Sequence, residues 1–196
     1  MAKTVLKPGT LLAPVPPVLV SCGTVENPNV MTIGWTGIIN TRPPMTYISV
    51  RPERYSYNLI KDAGEFVINI PTEKLVFAVD YCGVRSGKNV NKFEEMKLTA
   101  MPASQVNAPI IMECPLNIEC KIKSSMLLGS HEMFIADIVA VNVDDSAFDK
   151  NGKIDFENFG LLAYAHGSYF GLGEQLGTFG FSVKKKKNAS IYKRPL

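Results

Sequence analysis

Residues 46–70 read TYISVRPERYSYNLIKDAGEFVINI. Thr46–Arg51 and Glu65–Ile70 are rich in β-branched and aromatic residues and predict strands. Between them Ser56 stands where a helix N-cap is expected, Tyr57–Ala63 carries a short helix, and Gly64 stops it. A strand, a helix and a strand could open a parallel α/β sheet, but the pattern does not repeat. Upstream, Val18–Cys22 is a short apolar strand and Thr32–Asn40 is β-branched with interior glycines at 34 and 37. Glycine inside a strand marks a bend or a close backbone approach. Thr41-Arg42-Pro43-Pro44 is a turn. Downstream, Leu116–Lys123 alternates Ile118, Cys120 and Ile122 with Asn117, Glu119, Lys121 and Lys123. Met133–Val143 is a long strand, and Asn151-Gly152 predicts a primed hairpin turn. Further helices are few: Thr72 is placed to cap Glu73–Cys82 before Gly83, and Asn91–Met96 is one more turn. Strands following strands favour a mainly β, antiparallel barrel over a doubly wound sheet.

The 196 residues predict a single domain over 1–183 followed by a basic tail at 184–196. A chain of this mass hides roughly 70% of its unfolded surface, enough for a core and a pocket. Hydrophobic residues at 46% with charged residues at 20% exclude disorder. The longest apolar runs are strand-sized, so no membrane span is expected. Pro8, Pro14, Pro16 and Pro17 interrupt the apolar N-terminal stretch, which argues against a signal peptide and for a cytoplasmic location. The four cysteines have no framework spacing and are expected as small buried hydrophobes. Two histidines and no ligand cluster argue against a metal. The net charge of +3 hides an asymmetry, because residues 184–196 hold six Lys and Arg and no acid. The basic excess is therefore in the tail rather than on a nucleic-acid-binding face.

Familiar motifs fail on spacing. Gly171-x-Gly173 has three residues before Gly177 where a dinucleotide fingerprint has two, and no βαβ unit can follow. Gly83 to Gly87-Lys88 is one residue short of a P-loop, with Asn89 where a magnesium-binding hydroxyl belongs. In Asp149–Asp155 the glycine is misplaced for a calcium loop. No G-x-S-x-G nucleophile elbow occurs. Three stretches remain. Asn29–Thr36 combines an amide, hydroxyls and an aromatic. Ser49–Tyr57 ends a strand, adds Arg51 and Arg54, and opens a helix whose N-terminus suits a phosphate. Arg85-Ser86-Gly87-Lys88 is followed by Lys92. Each also has a plainer reading: Ser56 as a helix cap, and the Arg85–Lys92 cations as a solvated loop.

In order, N-x-M-T-x-x-W (Asn29–Trp35), Pro43-Pro44, S-V-R-P (Ser49–Pro52), G-E-F-V-I-N-I-P (Gly64–Pro71), S-G-K-x-x-x-K-F (Ser86–Phe93), Ala108-Pro109 and G-S-H (Gly129–His131) resemble the flavin reductase-like FMN-binding split-barrel family, in its flavoredoxin-like form. The resemblance covers about residues 10–175. It implies a Greek-key antiparallel split barrel that binds FMN as a homodimer. Asn29, Met31, Thr32, Trp35 and Thr36 would line the flavin. Ser49, Val50 and Arg51 would contact the ring or ribityl chain, and Ser56, Ser86 and Lys92 the phosphate. Tyr164 and Tyr169 match late aromatic positions that approach flavin. His131 matches the histidine of a glycine–acid–histidine motif, with Ser130 in place of the acid, and is the one candidate catalytic residue. Backbone N–H groups of Thr32–Thr36 or Ser49–Arg51 would face charge arising on the reduced ring. The implied function is an oxidoreductase passing electrons through FMN from NAD(P)H or a redox protein partner to flavin, ferric iron or protein. An electron-transfer flavoprotein without NAD(P)H activity and a flavin-free binding module on the same barrel are the alternatives.

Overall fold

The structure is a computed structural model that describes residues 2–184, so the basic tail expected from the sequence lies, but for Lys184, outside the described residues. In chain order the elements are β1 (Val18–Gly23), β2 (Pro28–Ile33), β3 (Thr36–Thr41), β4 (Pro44–Val50), α1 (Tyr55–Ala63), β5 (Glu65–Ile70), α2 (Val76–Val84) and α3 (Lys92–Glu95). There follow β6 (Ala100–Met101), β7 (Ile110–Ile111), β8 (Leu116–Leu127), β9 (Glu132–Val143), β10 (Leu162–Ala165) and β11 (Ser168–Gly171). Seven strands form one antiparallel sheet in the order β2-β1-β5-β8-β9-β4-β3.

The two edge strands of that sheet, β2 and β3, are consecutive in the chain. Only Gly34 and Trp35 separate them, and two residues span at most about 7 Å. The sheet must therefore curl until its edges approach, while no ladder joins β2 to β3 among the described residues. The result is an open, split barrel. The strand expected over Thr32–Asn40 is thus two strands, broken where Gly34 and Trp35 cross the split. β1 to β4 run round the barrel in sequence, and β5 returns through α1 to lie beside β1, which is the Greek-key crossing.

The barrel interior is filled by alternate residues: Val18, Val20 and Cys22 of β1, Phe66 and Ile68 of β5, Ile48 and Val50 of β4, Phe134 and Ala136 of β9. Leu19 and Val30 point the other way, into a second core with Val79, Cys82, Phe93 and Ile111. Burial on both faces explains why β1 reads as an apolar run broken only by Ser21, whose buried hydroxyl donates to Pro109 O. The polar face expected for β8 is half buried, because residues 103–111 cover it. Glu119 is fully buried and accepts from the N–H groups of Ser104 (2.8 Å) and Gln105 (2.6 Å) and from Asn142 Nδ2 (2.7 Å). Asn117 donates to Asn69 Oδ1 at 2.8 Å, and that oxygen also accepts from Ile111 N–H.

Three local expectations change. Ser56 lies inside the first turn of α1, whose cap residue is Arg54 with no side-chain cap bond. Thr72 likewise makes no side-chain cap bond; a 3₁₀ turn at Glu73–Leu75 leads into α2, which continues through Gly83. At Asn151-Gly152 only the glycine has positive φ (74°), and Gly152 N–H donates to Asp149 O at 2.9 Å. That is an ordinary turn followed by a left-handed glycine, where a primed turn would need positive φ at Asn151 as well. Gly64 does end α1 in the left-handed region (φ 69°), its N–H bonded to Ile60 O at 3.0 Å. All four cysteines are buried and free.

Candidate functional site

A cleft of about 450 Å³ lies where the barrel is split. Met31, Thr32, Ile33, Gly34 and Trp35 reach it from the end of β2, and Ser49, Val50 and Arg51 from the end of β4. The β10–β11 hairpin adds Tyr164 and Tyr169, α2 adds Asp80, Gly83 and Val84, and His131 stands at the turn into β9. The chain's Val15-Pro16-Pro17 stretch forms one wall through Val15 and Pro17. Val15 exchanges two backbone hydrogen bonds with Tyr164 (2.9 and 2.8 Å), fastening the hairpin. The rings of Tyr164 and Tyr169 pack 5.2 Å apart, and Tyr169 O–H donates to Asp80 Oδ1 at 3.1 Å. Burial, reinforced by that carboxylate, pushes the Tyr169 hydroxyl up to about 12.

A second pocket of about 260 Å³ shares Met31, Arg51 and Arg54 with the cleft. Its remaining wall is Glu53, Tyr55, Ser56, Cys82, Arg85, Ser86, Gly87 and Lys92. Four cations thus face one carboxylate. Glu53 is already paired with Arg51 at 2.9 Å, and no ion pair among the described residues includes Arg54, Arg85 or Lys92. Lys92 is only 4% exposed. Its Nζ donates to Val30 O and Cys82 O, both at 2.8 Å, which leaves the third N–H free of those carbonyls. Burial, with Arg54 nearby acting the same way, pulls the Lys92 ammonium below the ordinary lysine range. A buried ammonium without a carboxylate is costly unless an anion joins it. The first turn of α1 also borders the pocket at Tyr55 and Ser56, with its positive dipole end. This donor set fits a phosphate dianion, and the adjoining cleft, where Trp35, Tyr164 and Tyr169 stand among apolar and polar side chains, fits a flat ring.

The two pockets bring together most of the residues singled out from the sequence. Met31, Thr32, Trp35, Ser49, Val50, Arg51, His131, Tyr164 and Tyr169 border the cleft; Ser56, Ser86 and Lys92 border the basic pocket. Two depart from expectation. Thr36 borders neither, because its Oγ1 donates to Tyr47 O at 2.6 Å within the β3–β4 hairpin. Asn29 borders neither but lines an adjoining depression with Tyr55, Gly87 and Lys92, its Nδ2 donating to Ser56 Oγ at 2.7 Å. The Ser49 N–H is spent on Trp35 O at 2.9 Å, and Thr32 Oγ1 on Val79 O, so neither group faces a ligand. His131 Nδ1 lies 2.9 Å from Ser130 Oγ. Partial burial, then Arg51, lowers its imidazole below the ordinary histidine value.

Sequence reasoning did not place Asp80, Gly83 or Val84 in the site: it ended the helix at Cys82, before Gly83 and Val84, and nothing local tied Asp80 to Tyr169, 89 residues away. One signal was available. A Cβ on Gly83 would lie 3.3 Å from Thr32 Cβ, so this glycine in the last turn of α2 marks the close packing of α2 on β2. Arg54 and Arg85 were visible as cations but not as walls of one pocket.

Comparison with known proteins finds the same domain family and fold. The model of the flavin reductase like domain matches residues 11–173. A protein of Archaeoglobus fulgidus is 37% identical over 141 residues, 72% of this chain and 78% of that one. Flavoredoxin of Desulfovibrio vulgaris superimposes with a TM-score of 0.86 at 33% identity, covering 93% of this chain and all of the other. Flavoredoxin from Methanosarcina acetivorans gives 0.81 at 26% identity, again over 93% of this chain and all of the other.

Proposed function

The chain belongs to the flavin reductase-like domain family, and on that premise we propose that it is an FMN-binding oxidoreductase that passes electrons from NAD(P)H or a redox protein to an acceptor. The observation that carries this reading is the basic pocket: a buried Lys92 with no carboxylate partner among the described residues, next to a cleft walled by Trp35, Tyr164 and Tyr169. Ser56, Ser86, Arg54, Arg85 and Lys92 would hold the phosphate, and Arg51 spans both compartments. When bound, the flavin supplies the hydride and single-electron chemistry. The protein's part is to bind, orient and shield. Tyr164 and Tyr169 hold one side of the cleft through the hairpin, and Trp35, 39% exposed, stands at its edge. His131, whose imidazole partial burial and then Arg51 pull below the ordinary histidine value, borders the cleft and would be the residue to exchange a proton there.

The test is the visible spectrum of the purified protein, followed by titration with FMN. A yellow protein, or one that takes up FMN, supports the reading; neither colour nor uptake overturns it in favour of a flavin-free module. Lys92→Met should weaken FMN binding by about 10- to 150-fold, the equivalent of a charge-assisted contact of roughly 1.5–3 kcal/mol. Rapid mixing with NADH or NADPH then separates the donors: bleaching makes the nicotinamide the donor, and its absence points to a redox protein.

A further inference from the structure

The turn that carries His131 has little of its own to hold it. Every residue from Lys123 to Ser130 is exposed, Leu127 and Leu128 among them, and the turn is closed by the Leu128 N–H, which donates to His131 O at 2.7 Å. The next residue along is different. Phe134 and Ala136 fill the barrel interior, and Glu132 continues their row to the barrel's end, where it is buried. An apolar side chain of similar size is often as stabilising in such a place as a charge. The carboxylate instead gathers three donors from two elements. Ser125 Oγ of β8 donates at 2.5 Å, and Tyr57 O–H and Lys61 Nζ (3.0 Å) donate from α1. Lys61 Nζ also donates to the Tyr57 oxygen at 3.0 Å, and the Tyr57 ring packs on Phe134 with centroids 5.8 Å apart, which ties the network to the core. A buried polar network with its bonds made rigidifies the elements it joins. Here it joins both strands that flank the turn to α1, the helix whose first turn borders the basic pocket. Alternation along the strand then sends the preceding side chain, His131, to the other face, where it borders the cleft with Arg51 and Arg54.

Resting on the flavin reading above, we propose that Glu132 is a positioning residue that fixes the β8–β9 turn against α1 and so holds the His131 imidazole at the cleft, where the proposed reaction would use it. Glu132 acts through place rather than charge. The charged groups that act on the His131 ring are Arg51, Glu53 and Arg54, and the Glu132 carboxylate, turned to the opposite face, is not one of them.

The experiment follows the chain's two imidazoles, His131 and His166, by NMR titration in the wild type, Tyr57→Phe, Ser125→Ala and Glu132→Gln. Tyr57→Phe and Ser125→Ala each remove one bond and leave the carboxylate in place, so they reach His131 through position alone. An imidazole released from its seat meets more water and draws away from Arg51, the two influences that lower it most. Its pKa should therefore rise toward the ordinary histidine value, by about half a pH unit or more. Glu132→Gln should move it the same way, whereas loss of a nearby negative charge by itself would move it down, so the sign separates position from electrostatics. A His131 that stays put in both Tyr57→Phe and Ser125→Ala, a downward shift in Glu132→Gln, or a movement shared by His166 overturns the inference. Should Glu132→Gln fail to fold, the two single-bond variants decide. FMN titration of the same proteins keeps the two readings apart. A wild type that takes up no FMN overturns the flavin reading and leaves the placement of His131 to its titration, while FMN uptake with an unmoved His131 in the variants overturns this inference alone.

Discussion

At the scale of single residues, the molecule holds buried charges besides Lys92, and Glu132 gives the instructive contrast. Glu132, 5% exposed at the start of β9, accepts hydrogen bonds from Ser125 Oγ, Tyr57 O–H and Lys61 Nζ. Those bonds, Ser125 first, lower its carboxyl from 4.5 to about 2. Lys61 is about half exposed, so solvent screens its ion pair, and the two hydroxyls carry most of the effect. Glu132 is fully satisfied within the protein; Lys92 keeps a charge that is not. The linkage for Glu132 has a definite sign. Its folded value lies below its unfolded one, so its contribution is complete above about pH 4.5 and drains away as pH falls toward 2. Melting temperatures followed by circular dichroism should therefore fall over that window in the wild type. Glu132→Gln should be less stable at neutral pH and show a shallower fall; parallel curves for the two proteins would remove Glu132 as a source of acid sensitivity.

At the scale of elements, α1 shows which end of a helix its sequence specifies. Its start has no side-chain cap, whereas its end rests on Gly64 in the left-handed region, with no atom within 4 Å of where a Cβ would sit. Gly64→Ala should thus cost only backbone strain, about 1–2 kcal/mol in chemical denaturation, and leave FMN affinity unchanged. A neutral substitution would mean that the C-terminal turn of α1 frays freely. Gly64 was legible in the sequence for this local reason, and so were β1, β5 and β9, whose patterns are set by their own burial. The misread elements depend on partners far along the chain. Ser56 looks like a cap until Asn29, 27 residues away, takes up its oxygen. Asn117 and Glu119 belong to a polar face until residues 103–111 cover it. Gly83 reads as a stop until β2 is packed against it. The site followed the same division: residue types and order pointed to an anion beside a flat ring, but the bonds that Thr32, Thr36 and Lys92 make to distant carbonyls are tertiary and carry no local signature.

At the scale of the whole molecule, the two pockets have walls from nearly every layer of the fold. β2 and β4 meet across the split, α1 begins there, α2 ends there, and the β10–β11 hairpin is brought back by Val15 and Asp80. Positions as distant as Val15 and Tyr169 share one cleft, so the unfolded chain has nothing resembling the site. A ligand that binds only the folded form stabilises it by RT ln(1 + [L]/Kd), about 2.7 kcal/mol at a hundredfold excess over Kd. With about 2–4 °C per kcal/mol for a chain of this size, FMN at that excess should raise the melting temperature by roughly 5–10 °C. The rise should appear in one transition, because unfolding the hairpin or opening the barrel destroys the same site. Riboflavin at the same concentration should give a smaller rise, since it fills the cleft and leaves Lys92 without its anion. Differential scanning calorimetry with each flavin decides the matter. Equal shifts would dissociate the basic pocket from the cleft, and a separate early transition that FMN does not move would detach the hairpin from the binding unit.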